Sequence, residues 1–253
     1  MKTKFFGRTF VAAALCAAAF TANAGPVSVQ WLNFAAGSQN VTVGETNAGG
    51  NISAAAGAFN VNIDGESFLT YCVELTQYAS TSALQYTRMA GSSFFDMNYT
   101  PVLGVNGAVV VERIGRLFTY LGGMQVPKAV GTQYSASEVS AAIQLAVWES
   151  VYEGDNPLSV SGAQNDLTNK FMAVSAPAGV ISYANLILAG AATAANQYSV
   201  SIVWYGTQPG QGAQDYLLLE RNPSRSELPE PASLGLVALG LVAAGLASRR
   251  RRA

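Results

Sequence analysis

Apolar and polar residues alternate in several short stretches near both ends of the central part of the chain. The alternation covers 27–34, 58–63 and 67–75, and it returns at 198–205 and 215–220. Alternation with a period of two is typical of strands with one buried face. The pair Asp64-Gly65 separates two of these stretches, which predicts a β-hairpin over 58–75.

Helical spacing occupies the region between these strands. Residues 109–121 repeat apolar positions three and four apart, and Gly122-Gly123 provides a stop. Ser135 and Glu138 match a capping box and predict a helix that runs to about Tyr152. Further helices are predicted over 167–174 and 182–196.

This order of elements predicts an α+β domain over residues 25–226. Strands from the N- and C-terminal parts are expected to share one sheet, sandwich-like or barrel-like, with a helical lobe inserted between them. A span of about 200 residues is long enough to bury a substantial core as one domain.

The N-terminal segment has the composition of a secretory signal peptide. Lys2, Lys4 and Arg8 precede a short apolar run at 9–20, and the small residues Ala22 and Ala24 form a cleavage site. We therefore predict that a signal peptidase removes residues 1–24. Cys16 would leave with them, so that Cys72 becomes the only cysteine of the exported protein.

The C-terminal segment, 227–253, has three parts in a fixed order. Pro229-Glu230-Pro231 comes first, an uncharged apolar stretch at 232–247 follows, and the cluster Arg249, Arg250, Arg251 and Arg252 comes near the end. The apolar stretch predicts a short transmembrane helix across the inner membrane with its arginines on the cytoplasmic side. An ordinary tail anchor has the same outline.

The three-part order resembles the PEP-CTERM sorting signal. The resemblance implies a Gram-negative bacterium, processing by an exosortase-type membrane peptidase, and an association with exopolysaccharide or biofilm production. A helix of this kind anchors the protein in the membrane only until processing removes it. We therefore expect a protein that is exported, transiently anchored in the membrane, and then placed at the cell surface or in the extracellular matrix.

The composition excludes several classes of function. Residues 25–226 contain seven Lys and Arg against thirteen Asp and Glu, so an acidic surface argues against a nucleic-acid partner. The chain has no histidine, which excludes the Ser-His-Asp and Cys-His mechanisms and the usual zinc sites. We expect no metal and no cofactor.

Gln144 is an unusual polar residue on a helix that is apolar nearly all round. At 100° per residue its side chain lies far from the face that carries Glu138, Glu149 and Glu153, so it should point into the protein. A buried amide needs hydrogen-bond partners. Gln144 therefore bonds either a neighbouring backbone group or a specific partner.

Two short motifs resemble the thioester domain of bacterial surface adhesins. They are Tyr71-Cys72-Val73-Glu74 and, about seventy residues later, Gln144-Leu-Ala-Val-Trp148. The resemblance implies that the Cys72 thiol displaces ammonia from the Gln144 side chain and leaves an internal thioester, an electrophile that can acylate a target. Residues that would support the site are Tyr71, Glu74, Trp148 and Glu149. Ile143 stands where the adhesins often have threonine.

Three functions remain open at this point. The first is a surface or matrix protein that attaches covalently to an extracellular polysaccharide or surface protein. The second is a structural matrix protein in which Cys72 and Gln144 are merely packed side chains. The third, ranked well below them, is a glycan hydrolase that uses Glu74 and Glu149 as its two acids. Our prediction is that the protein is not an enzyme.

Overall fold

The computed structural model describes residues 25–45, 50–154, 157–161, 171–206 and 212–222. The predicted signal peptide and the predicted C-terminal sorting segment lie outside these residues. Within the described part, no helix is long and apolar enough to cross a membrane. The described elements are β1 Pro26–Phe34, β2 Gln39–Glu45, β3 Gly50–Ala56, β4 Phe59–Ile63, β5 Glu66–Thr70, β6 Leu84–Ala90, α1 Gly91–Asn98, α2 Thr100–Leu103, α3 Gly107–Tyr120, α4 Ala136–Tyr152, β7 Phe171–Ser175, α5 Ala178–Ala191, β8 Tyr198–Trp204 and β9 Tyr216–Arg221.

Six antiparallel strands form a sheet in the order β5-β4-β1-β6-β8-β9. The sheet curls until its two edges nearly meet. Just beyond β5, Cys72 forms a bridge opposite Tyr216, and the Leu217 N–H donates to the Tyr71 carbonyl over 3.0 Å. The result is a nearly closed, barrel-like sheet that joins N- and C-terminal strands, with the helices inserted between β6 and β8. Cys72 lies at the seam where the barrel closes.

The predicted hairpin is formed by β4 and β5, in which Phe59 pairs with Thr70 and Ile63 with Glu66. Strand β5 ends at Thr70, so the strand predicted over 67–75 extended too far. Asp64 and Gly65 form the two-residue turn, with φ of 51° and 94°. Positive φ at both positions is what a type I′ turn requires, and it matches the right-handed twist of the strands. The tight turn fixes the register that carries the chain towards Cys72.

A second, three-stranded sheet in the order β3-β2-β7 was not expected from the sequence. It corrects one prediction: residues 171–174, assigned to a helix over 167–174, belong to strand β7, while residues 167–170 of that prediction lie outside the described residues. Phe171 and Ala173 are buried and pair with Glu45 and Val43 of β2. Four residues are too few to distinguish the periodicity of a strand from that of a helix. This segment forms a strand because it pairs with the edge of β2 that does not face β3.

Helices α3 and α4 begin and end close to their predicted positions, whereas α5 covers Ala178–Ala191 instead of the predicted 182–196. Pro177 precedes its first turn, where the fixed φ of proline and its missing N–H are tolerated. Strand β6 and helix α1 had no sequence prediction. They complete the barrel and the helical lobe, respectively.

Helix α4 is the central element of the domain. Its capping box is formed as predicted: the Ser135 N–H donates to Glu138 Oε2 over 2.8 Å, and the Glu138 N–H donates to Ser135 Oγ over 3.3 Å. Every residue from Val139 to Tyr152 is buried, because α4 packs against α3 and α5 and against the second sheet. A helix enclosed in this way holds its polar side chains in fixed positions.

Ser140 fixes α4 to the start of the hairpin, since its buried Oγ accepts a 2.8 Å hydrogen bond from the Ala58 N–H. Replacing Ser140 by alanine should lower the free energy of unfolding by about 1–3 kcal/mol, because a buried donor loses its partner. Urea unfolding measures this loss. Ser137→Ala is the matched control: its Oγ accepts from Gln39 at a partly exposed site, and a loss as large as that of Ser140→Ala would contradict the assignment.

Candidate functional site

The side chain of Gln144 lies directly against Cys72. Its Oε1 accepts from the Cys72 N–H over 3.1 Å, and its Nε2 donates to the Cys72 carbonyl over 2.8 Å. The Cys72 Sγ is 3.2 Å from the same Oε1. Gln144 thus points inward, as predicted. The two open alternatives for its partner coincide, because the backbone group that it bonds belongs to Cys72.

The site is closed to solvent, since Gln144 is 0% and Cys72 3% exposed. Burial strongly raises the pKa of the Cys72 thiol, while the Cys72 backbone N–H, acting on the sulfur of the same residue, lowers it. Glu74 raises the pKa of the thiol further, and the Trp148 indole lowers it. The Trp148 Nε1 has no hydrogen-bond partner among the described residues. The thiol is protonated at neutral pH.

This geometry is suited to one kind of chemistry. The two hydrogen bonds hold the amide plane of Gln144 in place beside the thiol, and such fixed proximity can supply much of the barrier to a slow reaction. Addition of sulfur to the amide carbon would place negative charge on Oε1. The Cys72 N–H already points at that oxygen and would stabilise the charge, as donors in an oxyanion hole do.

The predicted supporting residues are divided between different places. Trp148 is buried one turn after Gln144 on α4, against the Phe171 ring with centroids 6.5 Å apart. Tyr71 packs on Phe118 with ring centroids 5.7 Å apart. Its buried hydroxyl has no hydrogen-bond partner in the described part of the chain. Tyr71 and Trp148 therefore frame the pair as large core side chains.

Glu149 is not brought to the Cys72–Gln144 pair. Its buried carboxylate accepts from the Ser159 N–H over 2.7 Å. Burial raises the pKa of Glu149 to about 8, and the nearby Glu153 charge raises it as well. The hydrogen bond from the Ser159 N–H and the charge of Arg113 act in the opposite direction and lower this pKa. Glu74 and Glu149 are 3% and 1% exposed, and their carboxylates have different partners, the Tyr99 hydroxyl for Glu74 and the Ser159 N–H for Glu149. A hydrolase needs its two acids facing one substrate-filled space, and this arrangement gives that alternative no support.

Glu74, in contrast, lies in a polar cluster beside the thiol. The Tyr99 hydroxyl donates to Glu74 Oε1, and the Gln214 side chain donates to the Glu74 carbonyl over 3.0 Å. Asp215 is a neighbour that sequence reasoning missed. Burial raises its pKa to about 7 against the hydrogen bond from the Tyr205 N–H.

Sequence spacing gave no signal that Asp215 approaches Cys72, since the two are brought together only by closure of the barrel. The Val73 N–H donates to the Asp215 carbonyl over 3.2 Å across the seam. Among the described residues, no cluster of carboxylates or cysteine is arranged to hold a metal ion.

Comparison with known proteins gives a family match and similarities to solved structures, two of which are described below. Residues 227–252 match the family described as the PEP-CTERM protein-sorting motif. None of the curated proteins matches the chain. The structure is similar to an N-terminal thioester domain of a Clostridium perfringens surface protein, solved as a cysteine-to-alanine mutant, with a TM-score of 0.39 and 14% identity over 64% of this chain and 88% of that one.

The second similar structure is the N-terminal thioester domain of fibronectin-binding protein SfbI from Streptococcus pyogenes. Its TM-score is 0.38, with 17% identity over 78% of this chain and 94% of that one. Both scores are too low to establish a common fold, so the Cys72–Gln144 site rests on its own geometry.

The predicted sorting segment is confirmed by the family match, which contains Pro229, Glu230 and Pro231 and the arginine cluster. The motif marks the chain for recognition by an exosortase membrane protein. It implies export and membrane-associated processing towards the cell surface.

Proposed function

We propose that Cys72 and Gln144 condense into an internal thioester and that the exported protein uses this bond to attach itself covalently to a target. The observation that carries the proposal is the position of the Gln144 amide. Its oxygen and its nitrogen are both hydrogen-bonded to the Cys72 backbone, and its Oε1 lies 3.2 Å from the Cys72 sulfur. The sulfur adds to the amide carbon, the C–N bond breaks, and ammonia leaves.

A buried thioester is an electrophile that does not react until a nucleophile reaches its acyl carbon. When an amine or hydroxyl of a target reaches the Gln144 acyl carbon, a new amide or ester bond forms and Cys72 regains its thiol. The proposed targets are an extracellular polysaccharide or a surface protein. With the sorting signal, this chemistry supports an adhesion or biofilm-matrix protein of a Gram-negative bacterium, whose mature domain spans residues 25–226 after signal-peptide removal.

The proposal predicts that methylamine labels the folded protein at one position. Methylamine should add to Gln144 and release one thiol equivalent from Cys72, because an amine attacks the acyl carbon and sulfur is the leaving group. Peptide mass spectrometry locates the adduct, and a thiol reagent counts the released sulfur.

Cys72→Ala is the control for this labelling, since it keeps Gln144 and removes the sulfur. An adduct of equal yield in Cys72→Ala, or none in the wild-type protein, would refute the thioester and leave the non-covalent structural role for the pair.

A further inference from the structure

Formation of the thioester requires two proton transfers that Cys72 and Gln144 cannot perform alone. The thiol must lose its proton before sulfur becomes a strong nucleophile, and burial opposes that loss. The amide nitrogen must gain a proton before it leaves as ammonia. A group that takes the first proton and gives it back at the second step would serve both needs.

Two buried acids lie at this part of the seam in the described structure: Glu74, two residues after Cys72, and Asp215, whose carbonyl accepts from the Val73 N–H. The Oδ1 of Asp215 accepts from the Tyr205 N–H over 2.9 Å, and the backbone N–H of Asp215 donates to the Gln77 side chain over 2.9 Å. These contacts give Asp215 a structural role at the seam. It is the weaker candidate.

Glu74 is better placed to exchange a proton with the thiol. Backbone bonds across the seam pair residues 71–73 with 215–217, and the Gln214 side chain donates to the Glu74 carbonyl over 3.0 Å. Glu74 follows Cys72 by two positions, and side chains two apart along a strand project from the same side. Glu74 is 3% exposed. Its Oε1 accepts from the Tyr99 hydroxyl, and its Oε2 accepts a long, 3.5 Å hydrogen bond from the Thr76 hydroxyl. The carboxylate is therefore fixed in the same dry region as the reacting atoms.

We propose that Glu74 is the proton carrier for thioester formation, an inference that rests on the proposed function. The Glu74 carboxylate takes the thiol proton, and the Cys72 sulfur adds to the Gln144 amide carbon. The resulting oxyanion on Oε1 accepts from the Cys72 N–H. Collapse expels Nε2, which takes the proton from Glu74 and leaves as ammonia, so that the carboxylate is regenerated and atoms and charge balance.

The test follows ammonia release when the full chain, prepared unfolded with its plain sequence mass, refolds. Folding is followed by tryptophan fluorescence, and acid-quenched samples are weighed by mass spectrometry. Glu74→Gln keeps an acceptor for Tyr99 but cannot carry the proton, so loss of ammonia after folding should slow about a hundredfold. Glu149→Gln, the same change at a buried acid of a different cluster, should release ammonia at the wild-type rate.

The pH profile separates proton transfer from a merely structural role. In Glu74→Gln the rate should rise about tenfold per pH unit, because hydroxide must then deprotonate the thiol directly, whereas the wild-type rate should level off once Glu74 is ionised. If Glu74→Gln does not fold, the wild-type profile alone decides: a continuous rise without a plateau overturns the inference.

The two proposals fail in different ways. A wild-type protein that never loses ammonia refutes the thioester itself. A wild-type protein that loses ammonia while Glu74→Gln does so equally fast refutes only the role of Glu74.

Discussion

Replacing Cys72 by alanine is expected to lower the free energy of unfolding by about 4 kcal/mol and to abolish the loss of ammonia. A thioester between Cys72 and Gln144 joins positions that are 72 residues apart. A cross-link over a loop of that length removes much of the conformational entropy of the unfolded chain, worth about 4 kcal/mol in the chain-entropy description. Urea unfolding and intact-mass measurement on the same samples test both parts.

A purely packed thiol predicts a different outcome for Cys72→Ala. Removing one buried sulfur atom would then cost about 1 kcal/mol, in the range of small core truncations, and the mass would change only by the substitution. Methylamine-treated wild-type protein is the matched control, because it has lost the cross-link without a mutation. Its stability should fall towards that of Cys72→Ala.

The stability of the protein is expected to decrease as the pH rises from about 5 to 8, and Glu149→Gln should reduce that decrease by about 3 kcal/mol. Burial raises the pKa of Glu149 from its ordinary value of 4.5 to about 8. Between these two pKa values the folded protein keeps a proton that the unfolded chain releases. The free energy of unfolding therefore falls by roughly 1.4 kcal/mol per pH unit at most. This contribution is complete below pH about 4.5 and is lost as the pH passes about 8.

Urea unfolding at several pH values measures the slope. Glu138→Gln serves as its control, because the Ser135 hydroxyl and N–H lower the pKa of Glu138 and its titration falls below this range. A Glu149→Gln variant with the wild-type slope would show that Glu149 is not buried as a neutral acid. Asp215, whose pKa is raised by burial to about 7, accounts for part of the slope that remains.

Local patterns predicted the elements that local chemistry determines. Asp64-Gly65 fixed the hairpin because few residue pairs accept positive φ at both positions. Ser135 and Glu138 fixed the start of α4 through two reciprocal hydrogen bonds. The inward direction of Gln144 followed from the helical period alone, and this is the part of the candidate site that the sequence made accessible.

Features that depend on long-range closure could not be read from the sequence. Strand β3 is rich in alanine and other small residues, and its pairing with β2 gives it its structure. The seam that joins residues 71–73 to 215–217 depends on the curl of the whole sheet. The burial of Glu149 and Glu153 results from packing around α4, which a helical wheel does not show.

The most direct test of the account is the intact mass of the folded, exported chain, followed by unfolding in the presence of a maleimide at near-neutral pH, where a free thiol is alkylated. The account predicts a mass lower than that of the sequence by one ammonia and no alkylation of Cys72, because its sulfur is bonded to the Gln144 carbonyl. A mass equal to that of the sequence, together with one alkyl group on Cys72, would contradict it.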